Sequence, residues 1–195
     1  MIIRRLTNEE IPQACELARG VYEIAIRRNF PGGESHAFFD EYADEERLCV
    51  EAAQGQLFMW GACEGDMLVG MCAMTVQGHI TMLYVHPLYV KKGIGKKLLR
   101  KARIFARMEL KLQQVSVNAV PAYTAGYFKK AGFIELYQGG MPNNMYIPLA
   151  ANSINQVEYE HKSIPRKVFF GVSAGFACVV FVSGMLYSVI AALTP

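Results

Sequence analysis

Cysteine is sparse in this chain and follows no pattern. Cys15, Cys49, Cys63, Cys72 and Cys178 are scattered, odd in number and include no Cys-x-x-Cys pair. Neither a disulfide framework nor a zinc or other metal site is suggested, and a reducing cytosol is the natural compartment. The N-terminus, MIIRRLTNEE, lacks an apolar run of the length an export signal needs, and charge arrives by Arg4. No internal repeat or low-complexity tract occurs. Charge itself is missing from the last stretch: Val168 to Leu193 is a run of 26 residues with no formal charge, long enough to cross a hydrocarbon core of roughly 30 Å with some tilt. Buried core helices seldom reach that length uncharged. Lys162, Arg166 and Lys167 stand before the run and nothing charged follows it, so the positive-inside bias puts the preceding domain in the cytoplasm. The expected organisation is a domain over 1–149, a polar linker over 150–167 and a single-pass transmembrane helix over 168–193.

What is present before that tail reads as an α/β domain. Ile2 to Leu6 suits a short strand, and Thr7 with Glu10 has the spacing of a capping box ahead of Ile11, Ala14, Leu17, Ala18, Val21 and Tyr22, a helical periodicity. After Pro31-Gly32-Gly33 a second helix is expected from Ser35, with Phe38, Phe39 and Tyr42 on its apolar side. Between Glu34 and Glu51 seven acids face the single cation Arg47, which is either a solvated helix face or a surface that attracts a cationic amine. From Leu57 the period changes. Leu57 to Glu64, Met67 to Val76 and His79 to Val85 read as three strands, and their two-residue separators imply an antiparallel meander.

The next segment, LYVHPLYVKKGIGKKLL, reads as strand, turn and helix. Glycines at 93 and 95 allow backbone NH groups to approach an anion at a helix start, where unpaired donors and the macrodipole favour negative charge. Lys91, Lys92, Lys96 and Lys97 add formal charge. The dinucleotide fingerprint fails because its third glycine position holds Leu98, and a Walker loop fails because Gly95-Lys96 is followed by Lys97. Ile94, Leu98, Ala102, Phe105 and Leu112 mark one apolar side of the ensuing helix, with cations filling much of the rest. Val115 to Asn118 then reads as a strand, Tyr123 to Lys130 as a short helix, and Phe133 to Leu136 with Met145 to Leu149 as a closing strand pair.

Val85-His86-Pro87 followed by Val90-Lys91-Lys92-Gly93-Ile94-Gly95 resembles the Gln/Arg-x-x-Gly-x-Gly/Ala signature of the GNAT superfamily of acyl-CoA-dependent N-acyltransferases. Asn118, with Phe128 and Lys130-Ala131-Gly132-Phe133 after it, resembles that family's second block, and the resemblance runs from about Ile2 to Leu149. It implies a mixed, mostly antiparallel central sheet flanked by helices, and acetyl-CoA as co-substrate. It also implies that the backbone of Leu83, Tyr84 and Val85 pairs with the pantetheine arm as an added strand would. NH groups from Lys91, Lys92, Gly93, Ile94, Gly95 and Lys96 would then hold the pyrophosphate, and Asn118 would meet the cofactor from the neighbouring strand. A backbone NH near Val85 could serve a developing oxyanion.

A neutral amine must attack, so a proton acceptor is needed. His79 occupies the strand where the family often carries a glutamate, and an unperturbed imidazole titrates near 6.5; it reads equally as a solvated strand-start residue. Glu64 and His86 read as structural. The resemblance also carries departures. Val90 stands where Gln or Arg is usual, and Phe128 stands at the tyrosine that can protonate the leaving thiolate, with Tyr127 at the preceding, usually buried, position. Tyr127 or Tyr123 could substitute, or could simply pack. The expected activity is direct acetyl transfer from acetyl-CoA to a primary amine by a membrane-tethered enzyme. The competing readings are a non-catalytic, membrane-anchored CoA-binding or sensor module, and an interaction protein whose basic helix lies on anionic lipid. Nucleic acid is not an expected partner, the amine acceptor is not specified by any motif, and a homodimer is left open.

Overall fold

The structure is a computed structural model of the 195-residue chain, and it describes residues 1–27, 39–40, 43–136 and 144–149. The expected helix from Ser35 lies almost wholly outside the described residues, as do the linker over 150–167 and the charge-free run over 168–193. Among the described residues no helix is long and apolar enough to cross a membrane.

Seven strands form one sheet in the order β1-β2-β3-β4-β5-β7-β6. They are β1 (Ile2–Arg5), β2 (Leu57–Glu64), β3 (Met67–Thr75), β4 (His79–Val85), β5 (Gln114–Asn118), β6 (Ile134–Glu135) and β7 (Asn144–Pro148). All pairings are antiparallel except β4 with β5. The helices are α1 (Ile11–Val21), α2 (Glu45–Ala53), α3 (Ile94–Met108) and α4 (Ala125–Lys130). The three-strand meander and the closing β6–β7 pair thus fall where the sequence put them.

Local chemistry accounts for the element ends. The capping box forms at Thr7 and Glu10, with the Thr7 amide donating to the Glu10 carboxylate at 2.9 Å. The same carboxylate pairs with Arg4 of β1, which holds its pKa down to about 2 and ties strand to helix. Helix α2 starts at a point the apolar pattern does not mark: Asp44 is its N-cap and accepts from the Arg47 amide at 2.6 Å. Gly65 takes φ +59° at the first position of the two-residue β2–β3 loop, where such hairpins favour glycine.

Strands β2 and β3 are buried on both faces because helices cover both. Under α3 and α4 lies a core of Phe58, Trp60, Cys72, Leu98, Ala102 and Phe128 with their neighbours; under α1 and α2 lies a second, with Ile11, Ala14, Leu48, Met59 and Met71. Phe105 of α3 rests against Phe58 and Trp60 with ring centres 4.6 and 5.5 Å apart. Close approach of α3 depends on Gly70, where a Cβ would lie 3.0 Å from Ile94 and 3.3 Å from Leu98.

Candidate active site

The β3–β4 ladder carries an irregularity that shapes everything around it. Ala73 opposes Met82 whereas Met74 opposes Ile80, so Thr81 is an extra residue on β4. The bulge changes which face the strand presents: Ile80 packs in the core beneath α3, and Met82, two residues on, packs beneath α1. Beyond this point β4 also leaves β5. The parallel pairing is confined to His79 with Ser116 and Ile80 with Val117, after which each strand goes its own way. Strand β5 pairs along its whole length with β7 on its other side, Asn118 opposite Asn144. A fork therefore opens between β4 and β5, with Thr81 and Asn118 at its apex.

One arm of the fork offers unpaired strand edge. The His86 amide bonds inward to the Val69 carbonyl at 2.9 Å, and backbone groups alternate sides along a strand, so those of Val85 and Leu83 face the side that β5 has left. The Tyr84 side chain turns the other way, toward Phe39, at 6.4 Å between ring centres, and Phe39 stacks on Tyr22 at 4.1 Å. Burial pushes the Tyr84 phenol up, so it stays protonated.

At the end of that arm comes the glycine-bearing loop. Lys91 and Gly93 both adopt left-handed backbone, φ +64° and +76°, and Gly93 caps α3. A lysine in that region is strained, and successive amides in such a turn form an anion-binding concavity. Helix α3 has no acid in its first turn and carries Lys96 and Lys97 there instead, opposite to what the helix dipole favours. A bound anion would offset both. The loop is braced from outside: the Tyr89 hydroxyl donates to the Glu64 carboxylate at 2.6 Å, and the Lys92 ammonium sits 4.4 Å from the centre of the Tyr89 ring. Glu64 is thus part of a loop anchor, and His86 has the local role expected of it, its Nδ1 accepting from the Leu88 amide at 3.3 Å. Val90, at the head of the loop, is 51% exposed.

His79 stands at the closed end of the fork. It is buried, and its Nδ1 lies 2.8 Å from the Ser116 Oγ. The expectation of an imidazole titrating near 6.5 is corrected here, because burial drives its pKa down to about 3. It is not a solvated strand-start residue either. The aromatic pair on α4 is also placed differently from the sequence reading. Phe128 is in the core, 5.4 Å from the Phe133 ring. Tyr127 is 40% exposed and turns its hydroxyl onto Gly95, where an added Cβ would lie only 2.6 Å from it. Partial burial pushes the Tyr127 phenol up to about 12. Tyr123, the other candidate, points elsewhere, its hydroxyl 3.4 Å from the Ala25 carbonyl. Sequence reasoning did not single out Ser116, Thr81 or Tyr89. Ser116 meets His79 only through the crossover, and Tyr89 meets Glu64 across 25 positions, so no local pattern announces either.

A sheet forked between parallel neighbours, with an anion-binding helix start at the end of one arm, suits an extended ligand that ends in phosphates. Residues 16–144 match the family model described as the acetyltransferase (GNAT) domain, and the chain belongs to that family. It is an acyl-CoA-dependent acyltransferase acting on amines, with acetyl-CoA as its co-substrate. Among solved structures it is similar to the PaiA N-acetyltransferase of Thermoplasma acidophilum in complex with coenzyme A, at 20% identity and TM-score 0.65 over 75% of this chain and 98% of that one. A GCN5-related N-acetyltransferase from Rhodopseudomonas palustris gives 19% and 0.63 over 75% and 94%. A spermidine N-acetyltransferase, SpeG, from Vibrio cholerae gives 16% and 0.51 over 80% and 99%. No curated protein matches the chain significantly.

Proposed function

We propose that the chain transfers acetyl from acetyl-CoA directly to a primary amine in a ternary complex, from a domain held at the cytoplasmic side of a membrane by residues 168–193. The fork between β4 and β5, with its loop of left-handed residues, is the observation that carries the transferase part of this reading. The charge-free run and the cations before it carry the tether.

Acetyl-CoA supplies an activated acyl group on a thiol that leaves tolerably, with a pKa near 8.5. The amides from Lys91 to Lys96 hold its pyrophosphate, and the free edge at Leu83 and Val85 pairs with the pantetheine arm, while Tyr84 between them faces β3 opposite Met71. From Val85 back to Thr81 the strand spans roughly 13 Å at about 3.3 Å per residue, which brings the acyl end to the apex beside Asn118. Backbone amides at the bulge then lie closer to the carbonyl oxygen than does the amide of Val85 itself, and they act as its donors.

His79 is better suited to fixing Ser116 in the floor of the fork than to accepting the proton of the amine. An imidazole whose conjugate acid has a pKa of about 3 is a poor match for an alkylammonium. Water at the fork mouth takes that proton. Tyr127 stays protonated through the working pH range, with its hydroxyl lying over Gly95 at the start of α3. The likeness to a spermidine N-acetyltransferase and the acidic stretch over 34–51 make a polycationic amine the first acceptor to test.

Stopped-flow and product analysis with acetyl-CoA and a panel of polyamines, lysine peptides and amino-lipids tests the reading. Formation of acetylated amine with one free thiol per turnover supports it. Tight acetyl-CoA binding without turnover against the whole panel selects the CoA-sensor alternative.

A further inference from the structure

Acyl-CoA binding leaves one conspicuous surface unexplained, the outward side of α3. Lys97, Arg100, Lys101, Ile104, Arg107 and Met108 are all exposed and, at 3.6 residues per turn, fall within an arc of about 120°. No acid occurs between Asp66 and Glu109. Among the described residues none of these four cations has a carboxylate partner, whereas Arg27, Arg47 and Lys129 are paired with Glu23, Glu51 and Glu135. The first turn is near enough to the loop to serve the phosphates of acyl-CoA. Ile104 and Met108 lie roughly 16 and 22 Å further along the axis from Gly93 at 1.5 Å per residue, beyond the pyrophosphate cradle.

We infer that this stripe is a docking surface for a bilayer carrying anionic headgroups, with Arg100, Lys101 and Arg107 at the headgroup level and Ile104 and Met108 entering the interface between them. Two observations favour lipid over nucleic acid, which a cationic helix alone would also suit. The stripe interleaves its cations with exposed aliphatic side chains, 47% exposed at Ile104 and 55% at Met108, as interfacial helices do. It also offers no aromatic platform for bases, since Phe105 is engaged with Phe58 and Trp60. The same chain carries the uncharged run over 168–193 behind three cations. Docking of α3 would turn the fork toward substrates at the membrane surface, but the inference does not depend on the tether or on the identity of the acceptor.

The test uses the full chain with Ile104→Trp, reconstituted with phosphatidylcholine vesicles or with vesicles in which about one-third of the lipid is phosphatidylglycerol. Trp60 is buried and gives a constant background. The expected result is a blue shift and quenching by acyl-brominated lipid on the anionic vesicles alone. Both should be lost in about 1 M salt, where the Debye length is about 3 Å, and lost on adding Lys101→Glu with Arg107→Glu, while acetyl-CoA binding persists. Met108→Trp should report the same. Equal signals on neutral and anionic vesicles, no shift with either reporter, or displacement from anionic vesicles by a duplex oligonucleotide would each overturn the inference.

Discussion

At the scale of single residues, His79 and Tyr127 make opposite statements about protonation. The His79 imidazole, with a pKa near 3 in the fold against about 6.5 when unfolded, takes up a proton on unfolding throughout the interval between those values. Its contribution to stability is therefore complete above about pH 6.5 and is lost as pH falls toward 3, at about 1 kcal/mol for each pH unit. Melting temperatures between pH 7 and pH 4.5 should fall more steeply for the native chain than for His79→Asn; parallel curves would mean that the imidazole titrates normally. In the same variant the acid limb of kcat/KM should keep its position, because burial drives the His79 imidazole well below neutral pH. Movement of that limb would restore His79 as the base. Tyr127→Phe removes a protonated hydroxyl over Gly95. If that group assists the departing thiolate, kcat falls by about 100-fold with little change in melting temperature; an unchanged kcat would assign Tyr127 to packing alone.

At the scale of elements, the loop between β4 and α3 is held by parts with separable effects. Tyr89→Phe keeps the ring beneath Lys92 and deletes the bond to Glu64. The bond is exposed, so the expected effect is modest, a rise of roughly two- to fivefold in KM for acetyl-CoA at unchanged kcat. Val90→Gln restores the side-chain contact that the family signature provides; because Val90 is exposed, KM should fall severalfold without any change in melting temperature. These elements also show what could be read in advance. The meander, α3 and its buried side were legible because short-range periodicity and turn glycines specify them. Leu99 and Ala106 join the expected apolar positions of α3 for the plain reason that both sheet and β5 must be covered. The start of α2 was not legible from hydrophobicity, since Asp44 and the acids after it resemble a solvated run until the cap is seen. The bulge at Thr81 was equally silent: it exists only relative to the register of β3. The inversion of Tyr127 and Phe128 has the same origin, because rotation of a six-residue helix is set by what it packs against, here the core around Phe133 and Gly95 of α3, not by its own sequence.

At the scale of the whole molecule, the order of the sheet explains why one loop motif could suggest the function while leaving the catalytic groups unsettled. In the proposed reading co-substrate binding would come from a contiguous segment, β4 through α3, so its signature survives in sequence. The candidate catalytic side chains stand on β4, β5 and α4, of which β4 and β5 meet only because α3 carries the chain across to a parallel neighbour. The family resemblance implies an acceptor side on Tyr22 to Tyr42 and Gly139 to Tyr146, stretches without a decodable motif, and a large part of them lies outside the described residues. Tethering by 168–193 and docking by α3 would together present the mouth of the fork to a membrane-proximal amine. The most direct measurement is therefore label transfer from acetyl-labelled CoA by the full chain in its native membranes, with identification of the labelled product. The account expects label in an amide of a primary amine, matched one for one by free CoA thiol and abolished by substitutions in the 91–96 loop. Saturable binding of acetyl-CoA with no label leaving the thioester, in the presence of those membranes and of added polyamines, would contradict it.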